Sequence, residues 1–268
     1  MRSERPRPSV RRAGSGPTVL CLHSNASSSA QWRALSERLA PHRTVIAADS
    51  WNAGRSPTWA ASRPPTFDDE VDLIEPLLLE ADGPVDLVGH SFGGAIALRA
   101  ALRHPTRVRS IAAYEPTAFW LVAASERPGD VQGIADVAVD ASAAVERGDL
   151  DAAAQRFVDF WNGPGAWART PPERRDAPLR AIRFVGDWGH ATLGDSTPLD
   201  AFAALRVPVL LLSGEASPLS GQAPAALLAR TLPDARLEIL AGLGHMGPVT
   251  HPDPVNARLE RFLLEPRA

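Results

Sequence analysis

The chain has 268 residues, 22 % of them charged and 44 % hydrophobic, with a formal net charge of −3. That balance is ordinary for a soluble enzyme built as one α/β domain with an insertion, or as two small domains, and gives no support to a nucleic-acid partner. No stretch reaches the roughly 18 apolar residues of a membrane helix, so no membrane partner is expected. All 28 basic residues are arginine. With the abundant Ala and Pro, this points to a GC-rich, bacterial genome and makes a single arginine a weak anion-site signal.

Met1 to Gly16 carries five arginines, two prolines and no apolar core of a secretory signal. A tail or a short solvated strand is expected there, and a cytoplasmic protein. Thr18 to His23 is a continuous apolar run, the pattern of a strand covered on both faces. Cys21, the only cysteine, sits inside it and is expected to be a buried thiol. Trp32, Leu35 and Leu39 share helical spacing over Gln31 to Leu39. Thr44 to Asp49 is a second strand. Thr66 and Asp69 frame the start of a helix that runs to about Leu79, where Gly83-Pro84 follows as a breaker. Val85 to Val88 and Val108 to Tyr114 are further strands. The alternation of strands and helices predicts a doubly wound, mostly parallel sheet.

From Phe119 to Leu205 the alternation stops. The segment is Ala-rich, punctuated by Gly163-Pro164-Gly165 and Pro171-Pro172, and helical where it has a period. It reads as an inserted helical cap at 119–205 between core segments 1–118 and 206–268. The sheet resumes with a strand over Val207 to Ser213, a helix over Pro224 to Thr231 and a strand over Arg236 to Leu240. A glycine-rich loop from Gly242 to Pro248 leads to a last helix over His251 to Leu264.

One stretch carries chemistry. Val85 to Ile96 reads as strand, then Gly89-His90-Ser91-Phe92-Gly93, then a helix opening on small residues. A serine on so tight a strand-to-helix turn is held strained, with its hydroxyl above the sheet. The amide of Phe92 then lies at the helix N-terminus, where it can donate to an oxyanion. In this context the chain resembles the α/β-hydrolase superfamily, from about Pro17 to the C-terminus. The resemblance implies an α/β-hydrolase fold and the order nucleophile, acid, histidine. It assigns Ser91 as nucleophile and His245, in Gly242-Leu-Gly-His245, as the base. His23-Ser24-Asn25-Ala26 through Trp32 resembles the family's oxyanion loop, with Ser24 and Ala26 where Gly and Pro are usual. The amide of Asn25 is the second expected donor.

The acid departs from the commonest pattern. Ser217 stands where many relatives carry an Asp after the cap. Glu115, at the end of the strand after the nucleophile helix, resembles the acid of one type of haloalkane dehalogenase of this fold. Glu215 is the alternative. Ser24, Trp120, Trp188 and Met246 are expected to touch substrate, and His190 is a further candidate contact. No metal or other cofactor is expected, since no His or Cys cluster has metal-ligand spacing. The reading is a serine hydrolase of a small carboxylic ester or lactone, a monomer or homodimer with a small-molecule substrate. A carbon–carbon bond hydrolase with the same triad and a non-catalytic ligand-binding protein of this fold are the alternatives.

Overall fold

The computed structural model describes residues 6–266. Among them the strands are β1 (Val10–Ala13), β2 (Thr18–Leu22), β3 (Thr44–Ala48), β4 (Val85–His90), β5 (Val108–Tyr114), β6 (Val209–Gly214) and β7 (Ala235–Leu240). They form one sheet in the order β1-β3-β2-β4-β5-β6-β7. Only β1 runs antiparallel, paired to β3 with Val10 opposite Ala48; the rest are parallel. Part of the arginine-rich N-terminus is therefore a short edge strand, with Arg11 and Arg12 exposed. Residues 1–5 of the stretch expected to be a tail or short strand lie outside the described residues.

The helices follow in order. The short α1 (Arg33–Leu39), entered through a 3₁₀ turn at Ser29–Trp32, precedes α2 (Phe67–Leu79) and α3 (Phe92–Arg103). Between β5 and β6 come α4 (Phe119–Ala123), α5 (Gln132–Glu146), α6 (Leu150–Asn162), α7 (Ala166–Arg169), α8 (Asp176–Ala181), α9 (Val185–Gly194) and α10 (Leu199–Ala203). The chain ends with α11 (Leu219–Thr231), α12 (Gly247–Thr250) and α13 (Pro252–Leu264). None of the described helices is long and apolar enough to cross a membrane.

Side chains alternate between sheet faces with a period of two, and both faces are covered. Leu20, Leu22, Val85, Leu87, Ile111 and Leu211 face one apolar core, closed by α2, α3 and Leu228 of α11. Val19, Cys21, Val88, Ala112, Tyr114 and Leu212 face the other, closed by Leu35 and Leu39 of α1 and by α13. Cys21 is fully buried, and burial pushes its thiol far above the ordinary range, so it stays protonated. The start of α2 is a reciprocal cap: Thr66 accepts from the Asp69 amide, and Asp69 accepts from the Thr66 amide.

The segment between β5 and β6 contains no described strand. Its ends pack on the sheet core through Trp120, Leu121, Phe202 and Leu205. Its middle has apolar clusters of its own, one around Ala141, Ala154, Trp167 and Val185, the other around Phe119, Ile134, Val137 and Trp161.

Among the boundaries that differ from the sequence reading, three change the local picture. The strand expected from Val207 begins at Val209, after Pro208, which cannot donate to a ladder. The helix expected from Pro224 begins at Leu219, because Pro218 takes the N-cap position and Pro224 sits inside the helix. The end of the Gly-rich loop winds into the single turn of α12.

β2 connects to β3 on one side and is flanked by β4 on the other. This is a switch point, where loops leaving the carboxyl ends of adjacent parallel strands diverge and open a crevice.

Candidate active site

Ser91 joins β4 to α3 with φ 55 and ψ −117, a conformation that costs a non-glycine residue of order 1–3 kcal/mol. The glycines on either side make it attainable. A Cβ at Gly89 would lie 2.4 Å from the Gly93 carbonyl oxygen, and one at Gly93 only 2.2 Å from that of Leu22. The turn is tied down from several directions. The Ser91 amide donates to the Tyr114 carbonyl at 2.9 Å, and the Ser91 carbonyl accepts from Gly94 and Thr117 at 2.9 and 3.2 Å.

His245 reaches Ser91 from the loop after β7. The Ser91 hydroxyl and His245 Nε2 are 3.0 Å apart, and His245 Nδ1 is 2.6 Å from Glu115 Oε2. A carboxylate at Nδ1 fixes the ring proton there and leaves Nε2 free to accept from the serine. Glu115 is fully buried at the carboxyl end of β5, with a φ of 44. Its second oxygen accepts from the Ser213 hydroxyl at 2.8 Å and the Gly214 amide at 2.7 Å. Burial works against the charge on Glu115. Even so, the hydrogen bond and attraction of His245, the nearby Ser217 hydroxyl and the Gly214 amide prevail, holding its carboxyl below the usual range. Ser217 Oγ is buried beside it. Glu215 is exposed, and its carboxylate accepts from the Gly242 amide at 3.0 Å. The structure brings Ser91, His245 and Glu115 together and leaves Glu215 outside, against the sequence alternative. The Glu215 carboxylate is bonded to a local amide, and Glu115 holds the place at the imidazole.

A second chain of hydrogen bonds locks the three loops. Ser24 donates through its hydroxyl to Gln31 Oε1 at 3.1 Å, and Gln31 Nε2 donates to His90 Nδ1 at 3.1 Å. His90 Nε2 then donates to the His245 carbonyl at 2.9 Å. Burial, reinforced by the neighbouring His245, holds His90 well below the usual histidine range, so it stays neutral in this role. His23 is also buried and lowered by burial; its Nδ1 donates to the Ser24 carbonyl, and its Nε2 accepts from the Ser50 amide. Asp49 steadies the neighbouring turn by accepting from the Ser29 and Arg55 amides at 2.6 and 3.1 Å.

Above Ser91 lies a narrow cavity of about 30 Å³. Its walls are stripes of the inserted helices at helical spacing: Ile134, Val137 and Ala138 of α5, Phe157 and Trp161 of α6, and Val185, Trp188, Gly189 and Thr192 of α9. Asn25, Thr117, Phe119 and Leu193 complete it, and none of the residues lining it is charged. Beside it runs a surface groove of about 510 Å³. Asn25 and Trp188 border both spaces, Phe92 lines the groove, and Arg180 and Arg183 sit on its rim.

Of the expected substrate contacts, Trp188 lies on the cavity wall. Four other expectations are corrected. Trp120 is buried in the sheet core and donates through Nε1 to the Thr197 carbonyl at 2.8 Å; its helix neighbour Phe119 faces the cavity instead, about 100° around the axis. Ser24 is engaged by Gln31 and faces the loop interior. Met246 packs against the cluster around Phe119 and Trp161, outside the cavity lining. His190 is exposed and lines neither space.

Two residues had no role in the sequence reading. Trp161 stacks on His245, with ring centroids 3.8 Å apart and planes at 25°. The i, i+4 pairing of Phe157 and Trp161 was the available signal. Gly221, in α11, lies so close that a Cβ there would stand 2.6 Å from Glu115 Oε2. It was missed because the helix was expected to begin only at Pro224. Among the described residues no three His, Cys, Asp or Glu side chains are grouped to hold a metal ion.

Residues 17–252 match the family model described as alpha/beta hydrolase fold. The chain is 30 % identical over 257 residues to a 2-(acetamidomethylene)succinate hydrolase of Mesorhizobium japonicum, covering 88 % of this chain and 84 % of that protein. It is 34 % identical over 178 residues to Lipase LipV of Mycobacterium tuberculosis, a match spanning 63 % of this chain and 59 % of the lipase. A solved α/β hydrolase from Sphaerobacter thermophilus superposes with a TM-score of 0.71 at 28 % identity, over 95 % of each chain. The chain belongs to the α/β-hydrolase fold family and is an enzyme of the hydrolase class.

Proposed function

We propose that this hydrolase cleaves small, uncharged carboxylic esters or lactones through an acyl-enzyme on Ser91. The observation that carries the reading is the continuous relay from Ser91 Oγ through His245 to buried Glu115, at 3.0 and 2.6 Å. Ser91 Oγ attacks the carbonyl carbon while His245 Nε2 takes its proton. The amides of Phe92 and Asn25 receive the oxyanion, and Glu115 stabilises the imidazolium. His245 then returns the proton to the departing alkoxide, leaving the acyl group on Ser91. Water attacks that ester with His245 again as base, releasing the acid and restoring the serine.

The lining of the cavity supports this substrate class, and its small volume favours a short acyl group. Its walls are apolar, with Asn25, Ser91, Thr117 and Thr192 as the polar exceptions. A carboxylate on the acyl side would be desolvated there with no cation to pair it, at a cost of several kcal/mol. This favours a neutral acyl group over a dicarboxylate of the kind named for the Mesorhizobium relative. The alcohol side then faces the groove beside Asn25 and Phe92.

The test is turnover of p-nitrophenyl acetate and butyrate against the corresponding hemisuccinate ester. Faster cleavage of the neutral esters, by roughly a hundredfold in kcat/KM, is expected from the desolvation cost. Preference for the hemisuccinate contradicts the substrate class. Weak cleavage of every ester would favour the carbon–carbon hydrolase reading, and binding without turnover the non-catalytic one.

A further inference from the structure

The inserted helices do more than wall the cavity. Trp161 comes from the middle of the insertion, yet its indole lies nearly face to face on the His245 imidazole, 3.8 Å between centroids and 25° between planes. A face-to-face sandwich is the disfavoured arrangement for two neutral rings, because their quadrupoles repel. It becomes favourable once one ring is a cation, since the indole face is the best aromatic surface for a positive charge. The indole is itself held in place. Phe160 meets it edge-on at 4.8 Å, Phe157 at 6.4 Å, and Phe119 stacks on it at 6.5 Å. Trp161 is 7 % exposed and His245 2 %, so the contact is dry. The other ring near the imidazole, His90, stays neutral, so Glu115 is the only charge partner the cation has among its hydrogen-bonded neighbours.

We infer that Trp161 is a positioning residue for His245, an aromatic platform that fixes the imidazole plane and stabilises its cation when the serine gives up its proton. The inference rests on the ester-cleaving reading and extends it. Proton transfer needs Nε2 aimed at Ser91. The Cβ–Cγ bond and the hydrogen bonds at Nδ1 and Nε2 set the plane of the ring, and a flat partner against its face resists tilting out of that plane.

The experiment compares Trp161→Leu and Trp161→Phe with the wild type on p-nitrophenyl acetate, whose small acetyl group keeps the change in apolar contact with the substrate small. Leucine keeps an apolar cover and removes the π face; phenylalanine keeps a π face. The leucine variant is expected to lose roughly tenfold in kcat with KM within about twofold, and the phenylalanine variant to recover most of the loss. A leucine variant with wild-type kcat, or a phenylalanine variant no better than leucine, overturns the inference. A wild-type measurement covers the case of a variant that does not fold. The His245 ring protons should appear far upfield in the NMR spectrum, shifted by the indole ring current and assigned by their loss in His245→Ala. Unshifted protons overturn the inference whatever esters are cleaved. Shifted protons in a protein that cleaves no ester leave the stack standing and sink the ester-cleaving reading.

Discussion

Replacing Glu115 with glutamine changes one atom in the relay, and the structure fixes which way the new amide must face. One oxygen of Glu115 already accepts from the Ser213 hydroxyl and the Gly214 amide. The glutamine oxygen must take that place, or two buried donors lose their acceptor at about 1–3 kcal/mol each. Its NH₂ group is then forced against His245 Nδ1. An NH₂ cannot accept, so Nδ1 must give up its proton and become the acceptor, and the ring proton moves to Nε2. Ser91 then faces a donor where it needs a base. The charge is lost as well. At a separation of about 4 Å and an effective dielectric of about 20, a carboxylate stabilises the imidazolium by about 4 kcal/mol, roughly a thousandfold in rate. With the tautomer error added, kcat for p-nitrophenyl acetate is expected to fall by about 10³–10⁴ with little change in KM. Glu215→Gln is the control. Its carboxylate is exposed and bonds only the Gly242 amide, so kcat should stay within about twofold. The reasoning is refuted if Glu115→Gln keeps a tenth of wild-type activity, or if Glu215→Gln is the crippled variant.

Other expectations follow from the same contacts. Gly221→Ala would push a methyl to 2.6 Å from Glu115 Oε2, and should lower kcat by about a hundredfold while costing about 1–3 kcal/mol of stability; wild-type kinetics in this variant would show that the helix yields. Glu70 is buried, with its Oε2 accepting from the Trp51 amide at 3.2 Å, and burial raises its pKa from 4.5 to about 8. The folded chain therefore keeps a proton that the unfolded chain releases, so this group lowers stability as pH rises from about 4.5 to about 8. Glu70→Gln should flatten that part of the Tm-against-pH curve, and an unchanged slope would contradict the assignment. Tyr114→Phe removes the hydroxyl that donates to the Gly244 carbonyl at 2.7 Å, beside His245. Chemical denaturation should show a loss of about 1 kcal/mol or more, since the carbonyl loses its partner; no change would mean that the loop is held elsewhere.

Much of this was legible in the sequence, for identifiable reasons. Strands β2 to β6 are largely buried on both faces, so β2, β3 and β6 appear as near-continuous apolar runs, while Asp86 interrupts β4 and Arg109 and Ser110 interrupt β5. Ser91 was legible because so tight a turn demands Gly89 and Gly93, and His245 because its glycine-rich loop follows the last strand. Glu115 and Glu215 could not be separated by residue type. What distinguishes them is burial, a positive φ and two donors from β6, all products of tertiary structure. Trp120 and Phe119 show the limit on helices: one residue rotates the side chain by about 100°, from core to cavity. Gly221 was lost because the helix was expected to begin only at Pro224, whereas it begins at Leu219. The stack of Trp161 on His245 joins residues 84 apart in the chain from two different parts of the fold, and no local pattern specifies that meeting.

The central claim is that Ser91 is made nucleophilic by His245. The most direct measurement is covalent labelling by a fluorophosphonate probe, with the modified peptide located by mass spectrometry, because it needs no knowledge of the substrate. The wild type should be labelled stoichiometrically at Ser91, Ser91→Ala not at all, and His245→Ala slower by a factor of about a thousand or more. Labelling at another residue, or a His245→Ala variant that labels as fast as the wild type, would contradict it.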